Sequence, residues 1–234
     1  PTPTPTTTSL PNSNTYCAFA VQLLGNDVDQ GDCLNGEAIH DAAFDTVFDP
    51  ETAAVFTVGQ LYTAGDQAVD QLIPSGSSGF SATADLSGYG GHDIFVSKHD
   101  VSGDVQATVL AGGPGDDFGR GITADGSSSG SLYICGLVAS KAHGGIAYSI
   151  KFGTLIASGA TSAAVGTSPH LQRNLMFVAK LAKADLSFQW VQLSGINHNS
   201  GQSAFFDVFV HPVSNQIFAG GIFKTGAVLG GLFC

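Results

Sequence analysis

The sequence predicts an all-β protein made of short antiparallel strands, and two observations carry this prediction. Charged residues are only 12% of the chain, whereas glycine occurs 31 times in 234 residues. Helices need charged side chains on their wet faces, so this balance favours short strands joined by turns. The second observation is that apolar, strand-like stretches recur along the chain.

The clearest repeat is an apolar stretch that ends in Gly and another apolar pair. Its three copies read AVFTVGQL, SLYICGLV and QIFAGGIF, and their matching glycines are Gly59, Gly136 and Gly221. A stretch with a turn signal precedes each copy, as DTVFDP, GITADG and DVFVHP. Two further stretches recur, one as FAVQLLG, QATVLAGG and FQWVQLSG, the other as DIFVSK and LMFVAK. A full unit therefore has at least four short strands.

The strands of this unit are apolar on successive residues instead of alternating. A strand with one wet face alternates apolar and polar side chains, so both faces of these sheets should be buried. Four-stranded antiparallel blades that repeat and pack face to face form a β-propeller-like array, which is predicted to be part of a larger ring or assembly. The residues expected to be buried in strands are Phe95, Val96, Ile122, Leu132, Tyr133, Ile134, Phe177, Val178, Val208 and Ile217.

The stretch Met176–Leu186 and the residue Trp190 each allow two interpretations. The stretch Met176–Leu186 contains good helix formers, but its repeat partner IFVSKHDVSGDV reads as strand, turn and strand, so the same structure is predicted for both. Trp190, the single tryptophan, lies in a predicted strand and is expected to pack in the core.

The chain divides into two parts by composition. Residues 1–15 begin PTPTPTTTSLP, where alternating Pro removes backbone donors, so they are predicted to be an extended linker with candidate O-glycan sites on Thr. Residues 16–234 are predicted to be the repeat domain. Its units span about 16–62, 93–139 and 175–223, and another begins at 224–234. Insertions rich in small residues separate the units. They are expected to be long surface loops or to hold an extra strand, for which IAYSIKFG is the candidate.

The unit from Asp93 to Gly136 carries the most specific pattern. It reads D-x-F-V-x-K, then G-G-x-x-D-D-x-G-x-G-I-x-x-D, then an aromatic strand that ends in Gly. In this pattern it resembles the SBBP class of β-propeller repeat. The matching residues are Asp93, Phe95, Val96, Lys98, Gly112, Gly113, Asp116, Asp117, Gly119, Gly121, Ile122, Asp125, Tyr133 and Gly136. The other units match in part, and the resemblance implies the fold and an extracellular or cell-surface setting but no chemistry.

Charge restricts the partners of this chain. The net charge is −11, from 19 acidic and 8 basic residues, so the surface repels nucleic acid and anionic membranes. The longest apolar runs fall far short of the roughly 20 residues of a membrane span, so no membrane insertion is expected in this segment. Other copies of the chain, other surface proteins, a neutral glycan and a divalent cation remain as candidate partners.

The loop GGPGDDFGRG, residues 112–121, has three interpretations: a phosphate cradle, a calcium loop or a turn. A phosphate cradle needs a helix directly after it, and GITADG reads as strand and turn instead. Calcium would use the carboxylates of Asp116 and Asp117. A second acidic loop, NDVDQGDC, offers Asp27, Asp29 and Asp32. For both loops the favoured alternative is a solvated turn in which Asp accepts backbone N–H bonds, so calcium is the one cofactor considered.

The four cysteines are expected to differ in role. Cys17 and Cys33 bracket the second acidic loop, and a disulfide between them is predicted to contribute about 3 kcal/mol by restricting the unfolded chain. Cys135 aligns with Val58 in the repeat, so it is expected to be buried and unbridged. The pairing of Cys234 stays open.

No motif indicates catalysis. GSSSG at residues 126–130 fits the string of a hydrolase nucleophile elbow, but it lies at a hairpin position between two strands. His211 stands at the turn position that Asp49 and Asp125 occupy in the other units, so it is expected to form a turn. We therefore expect no enzymatic activity.

The sequence favours an extracellular or cell-surface structural or adhesive glycoprotein. Only about three units are visible, whereas a closed propeller generally has four or more blades, so this segment is expected to need further blades or further copies. Association of copies, as in a filament, is the expected outcome. The alternative is a module that binds a glycan or a protein, with calcium as support.

Overall fold

A computed structural model describes residues 42–63, 91–113, 115–127, 130–140, 150–157, 173–194 and 203–222. Over these ranges the chain forms antiparallel strands without any helix, which confirms the all-β prediction. In chain order the strands are β1 (Ala42–Asp49), β2 (Ala54–Thr63), β3 (Gly91–Asp100), β4 (Val105–Gly112), β5 (Phe118–Ala124), β6 (Ser131–Ser140), β7 (Ile150–Phe152), β8 (Leu155–Ala157), β9 (Arg173–Ala182), β10 (Phe188–Leu193), β11 (Ala204–Val210) and β12 (Ile217–Ile222). No helix capable of crossing a membrane occurs in these ranges.

The strands form three open sheets. The first has the order β1-β2-β3-β4-β7-β8, the second has the order β10-β9-β6-β5, and the third pairs β11 with β12. The first sheet therefore joins three hairpins and the second joins two. In chain order, the repeat units seen in the sequence begin at the third strand of one sheet and end at the second strand of the next. The predicted extra strand is confirmed, since β7 lies within IAYSIKFG and pairs with β4.

The sheets stack face to face. One apolar cluster joins Phe56, Val58, Ile94 and Val96 of the first sheet to Ile122, Leu132, Ile134 and Phe177 of the second. Another cluster joins Tyr133, Cys135, Met176 and Val178 of the second sheet to Phe205, Val208 and Val210 of the third. Strand β6 sends alternate residues into the two clusters, which explains why its sequence is apolar throughout. We call β1, β5 and β11 the first strands, because each is the first strand of its sheet along the chain. The three are neighbours, since β5 contacts both β1 and β11.

Most sequence predictions about burial are confirmed. Of the residues expected to be buried, all are buried except Ile217, which is half-buried because the third sheet packs on one face. Met176–Leu186 forms the end of β9 and a turn, as its repeat partner indicated, and Leu186 adopts a φ of 59° in that turn. Cys135 is buried and free. Cys17 and Cys33 lie outside the described residues, so their predicted bond stays a prediction.

The core role predicted for Trp190 is wrong. Its side chain is 36% exposed, because β10 pairs with β9 and lies at the edge of its sheet within the described ranges. Its indole ring lies 6.1 Å from the ring of Tyr133, at the margin of the second cluster. The sequence predicts that Trp190 lies in a strand, but it does not show that this strand lies at the edge of a sheet.

Candidate functional site

Each first strand carries a β-bulge at the same place. In β1, Ala43 and Asp45 pair with successive residues of β2, so Phe44 is left out of the register. Arg120 is left out of β5 in the same way, and Phe206 is left out of β11. A bulge re-aims the side chain of its extra residue and is over-represented beside functional sites. The three neighbouring first strands therefore present Phe44, Arg120 and Phe206 from equivalent positions.

The bulges explain why glycine recurs at the same position of the repeat. Gly59, Gly136 and Gly221 stand opposite the bulges of β1, β5 and β11. A Cβ atom on any of the three would overlap the backbone carbonyl oxygen at the start of the bulged strand. Only glycine leaves room for that carbonyl. The sequence identified these positions through repetition, but the bulge that requires them was not visible in it.

Arg120 is the charged member of the bulge set. Its guanidinium carbon lies 4.0 Å from the ring centre of Phe44, which belongs to the neighbouring sheet, and 5.1 Å from the ring centre of Phe118. These distances indicate cation–π contacts. Its Nε atom is buried and has no hydrogen-bond acceptor among the residues that the structure describes, and burial lowers the pKa of the guanidinium. This residue could not be recognised from the sequence, because a single Arg within GDDFGRG looks like part of a turn.

The aromatic contacts continue from Arg120 into the GGPGDD loop. The ring of His92 stacks on Phe118 at a centroid distance of 5.7 Å. The His92 Nδ1 atom in turn lies 3.0 Å from Oδ1 of Asp116. A continuous series of side chains therefore links the bulge of β1, through Arg120, to one of the two calcium candidates in this loop.

Asp117, the other candidate, holds the loop in shape. Its Oδ2 atom accepts a bond of 2.6 Å from the Gly113 amide, and its Oδ1 atom accepts a bond of 2.7 Å from the Ala139 amide in β6. Burial raises the pKa of this carboxyl well above its ordinary value, and the negative charges of Asp93 and Asp116 raise it further. Asp117 thus uses both oxygens on backbone N–H groups, which is the geometry of the turn interpretation.

The calcium hypothesis gains no geometric support from the residues that the structure describes. Among them, no group of three or more His, Cys, Asp or Glu side chains converges as a metal site would require. Asp116 faces His92, and Asp117 faces backbone amides. Asp27, Asp29 and Asp32 lie outside the described residues, so the second acidic loop stays a prediction. Strand β5 directly follows the GGPGDD loop, so the helix that a phosphate cradle needs is not there.

Asp117 should make stability depend on pH. Its pKa is raised in the folded state, so the folded chain binds more protons than the unfolded chain between the two pKa values. The free energy of unfolding therefore falls as pH rises through that window. Asp117→Asn removes this titration and one acceptor oxygen. We expect the wild type to exceed the variant in stability by the largest amount at and below about pH 4, and by less as pH rises.

Urea denaturation of both proteins across that pH range measures the difference. Asp104→Asn, in the exposed turn between β3 and β4, controls for the loss of one surface carboxylate. A stability difference between the wild type and Asp117→Asn that stays constant or grows with pH would contradict the assignment.

A buried ion pair lies at the hairpin end of the first two sheets. Lys183 follows β9 and is buried, and its Nζ atom donates to Oδ1 of Asp49 at 3.0 Å, to the Ser127 carbonyl at 2.9 Å and to the Asp125 carbonyl. The three ammonium protons are thereby used. Lys98 of the first sheet donates back to the Lys183 carbonyl at 3.1 Å. The group joins two sheets and is satisfied internally, so it is structural.

The other turns behave as the sequence indicated. The Asp125 carboxylate accepts a bond of 2.8 Å from the Ser131 amide, and Gly130 donates to the Ser127 carbonyl, which closes the hairpin around GSSSG. The Nδ1 atom of His211 accepts bonds from the amides of Val213 and Ser214 in the β11–β12 turn. His211 is therefore a turn residue, as predicted.

Comparison of the whole chain with protein-family models gave no match, and comparison with curated proteins gave none either. The resemblance to SBBP repeats consequently stays a prediction.

Proposed function

We propose that this chain is a structural or adhesive module of the cell surface or extracellular space, built from β-propeller-like blades that also associate between copies. The role is non-catalytic. The observation that carries the proposal is that the two ends of the stack expose apolar side chains at positions that are used for packing inside the stack.

The outer face of the third sheet is one such end. Because the three first hairpins align, Phe209 and Phe218 correspond to Thr123 and Tyr133 of the second sheet. Tyr133 belongs to the cluster that the third sheet covers. Phe209 and Phe218 pair directly across β11 and β12, and they are 52% and 53% exposed. The third sheet thus leaves open the face that the second sheet buries.

The β1–β2 hairpin, on the outer side of the first sheet, is the other exposed patch, whereas the residues of β3 and β4 on that side are buried. On the same alignment, Phe48 and Val55 correspond to Val210 and Ile217 of the third sheet. Those two residues pack against the second sheet in the second cluster. Phe48 is instead 56% exposed, and Val55 is half-buried. The first sheet therefore presents the side chains that would meet an outer face like that of the third sheet.

Two complementary ends on one chain favour contact between copies. The third sheet of one copy would pack on the first sheet of the next, as the third sheet packs on the second within the chain. Such a head-to-tail contact builds a ring if the rotation closes and a filament if it does not. Full burial of each large apolar side chain contributes about 1.5–3 kcal/mol, so a few of them would drive association.

Sedimentation equilibrium tests this proposal. We expect the wild type to associate as its concentration rises and Phe209→Ser/Phe218→Ser to remain monomeric. Phe48→Ser should also remain monomeric, but a mixture of these two proteins should form heterodimers, because each keeps the face that the other has lost. Val213→Ser removes an apolar side chain that is 86% exposed in the β11–β12 turn and should associate like the wild type.

Two results would count against the proposal. One is a wild type that stays monomeric at every concentration, and the other is a Phe209→Ser/Phe218→Ser variant that associates as strongly as the wild type. Failure of the two variants to form heterodimers would reject the head-to-tail arrangement specifically.

A further inference from the structure

The three bulges converge on β5. The bulge of β1 reaches it through Asp45, whose Oδ2 atom accepts a bond of 2.9 Å from the Ile122 amide. The bulge of β11 reaches it at Gly121, where an added Cβ atom would lie 2.9 Å from the Cα atom of Asp207. Arg120 immediately precedes this point. It therefore lies between the bulge residue of the first sheet and that of the third.

Arg120 lacks the partner that an arginine in this chain would be expected to find. The chain has 19 acidic residues and a net charge of −11, yet no carboxylate within the described ranges pairs with the guanidinium. The nearby carboxylate of Asp45 is occupied by the amides of Thr46 and Ile122. A buried Nε–H donor without an acceptor is destabilising, and native proteins retain few such groups, so this one needs an explanation.

The surroundings of Arg120 indicate which chemical group could accept hydrogen bonds from its guanidinium. Phe44 covers one face of the guanidinium, so the donors that remain point in its plane. A planar carboxylate matches in-plane N–H donors and forms short, charge-assisted bonds with them. Phe44 and Phe206 are 38% and 47% exposed and offer apolar surface for the body of a ligand. The acidic surface of the chain disfavours polyanions, which leaves a singly charged group.

We propose that the bulged first strands form a binding site for a carboxylate carried on a ring-shaped body, in which Arg120 contacts the carboxylate and Phe44 and Phe206 contact the ring. A uronic acid and an aromatic acid share this chemistry. The site is separate from the end faces of the stack, so it stands whether or not copies associate.

Titration followed by nuclear magnetic resonance tests the site directly. The chain contains only two arginines, Arg120 and Arg173, so the Arg Nε–H region holds two signals, and the second serves as an internal reference. Benzoate and glucuronate are the probes, and benzamide and glucose are their neutral controls. We expect a saturable shift of the Arg120 signal with one or both acids and with neither neutral control. The acid that binds with the lower dissociation constant identifies the kind of ring that the site accepts.

The variants separate binding from packing. Arg120→Lys keeps the charge and the cation–π contact but loses the planar fork, so affinity should fall about tenfold or more while thermal stability changes little. Phe206→Ser should weaken binding of the acids and leave the Arg120 signal of the free protein in place. The assignment fails if no saturable shift occurs up to about 50 mM acid, well above a millimolar dissociation constant. It also fails if chloride produces the same shift, or if Arg120→Lys binds like the wild type.

Discussion

Replacing Lys183 with Met is expected to lower the free energy of unfolding by about 3–5 kcal/mol. The Lys183 ammonium is the partner of the Asp49 carboxylate, and both side chains are almost fully enclosed. Removing the cation leaves a buried carboxylate without its counter-charge. It also takes one donor from the Asp125 carbonyl and one from the Ser127 carbonyl, which keeps its bond from the Gly130 amide. Chemical denaturation monitored by circular dichroism measures the loss.

Lys180→Met is the matched control for this variant. Lys180 lies three residues earlier, in β9, and is half-buried, and its Nζ atom is 5.8 Å from the ring centre of Tyr133. Its replacement should cost no more than about 1 kcal/mol, as is usual for exposed charges. The double variant Asp49→Asn/Lys183→Met should recover part of the loss, because it removes the orphaned charge. Equal losses for Lys183→Met and Lys180→Met would show that the buried pair is not a stabilising contact.

Gly136→Ala is expected to destabilise the protein by about 3 kcal/mol or more. The added methyl group would overlap the carbonyl oxygen of Phe118 and would lie 2.9 Å from the Cε1 atom of the Phe177 ring. Neither can move freely, because Phe118 begins the bulged strand and Phe177 is fully buried between two sheets. Thermal and urea denaturation together report the change.

Gly220→Ala provides the control, since a Cβ atom there would meet open space. Alanine loses less backbone entropy than glycine on folding, so Gly220→Ala should be neutral or slightly stabilising. If Gly136→Ala were tolerated as well as Gly220→Ala, the bulge would not explain why the sequence repeats this glycine.

Strand positions and the faces they bury could be predicted from the sequence, whereas register could not. Runs such as LYICG indicated burial on both faces, and β6 does send Leu132 and Tyr133 into opposite clusters. Bulges are a property of how two backbones pair, and the only sign of them in the sequence was an unexplained glycine. Arg120 was missed for this reason, because its place in the site depends on the register of β5.

Lys183 was missed for a different physical reason. A lysine in a turn is usually solvated, and its partner Asp49 lies 134 residues earlier in the chain. Nothing local in AKLAKADL marks it as buried, and the repeat gave no warning. Its burial depends on how two sheets meet, which is a tertiary property. Trp190 shows the converse error, since a large apolar residue in a strand was taken for a core residue when its strand lies at an edge.

The bulge in each first strand also places different constraints on two positions of the repeat, the bulged residue and the glycine opposite it. The glycine opposite is fixed by the backbone, and it is identical in the three copies as Gly59, Gly136 and Gly221. The bulged residue itself is released from pairing, and it differs between copies, as phenylalanine, arginine and phenylalanine. The glycine position thus preserves the architecture, whereas the bulged position can change between copies. A chain that duplicates this unit can acquire new surface chemistry along one edge without altering the sheets that display it.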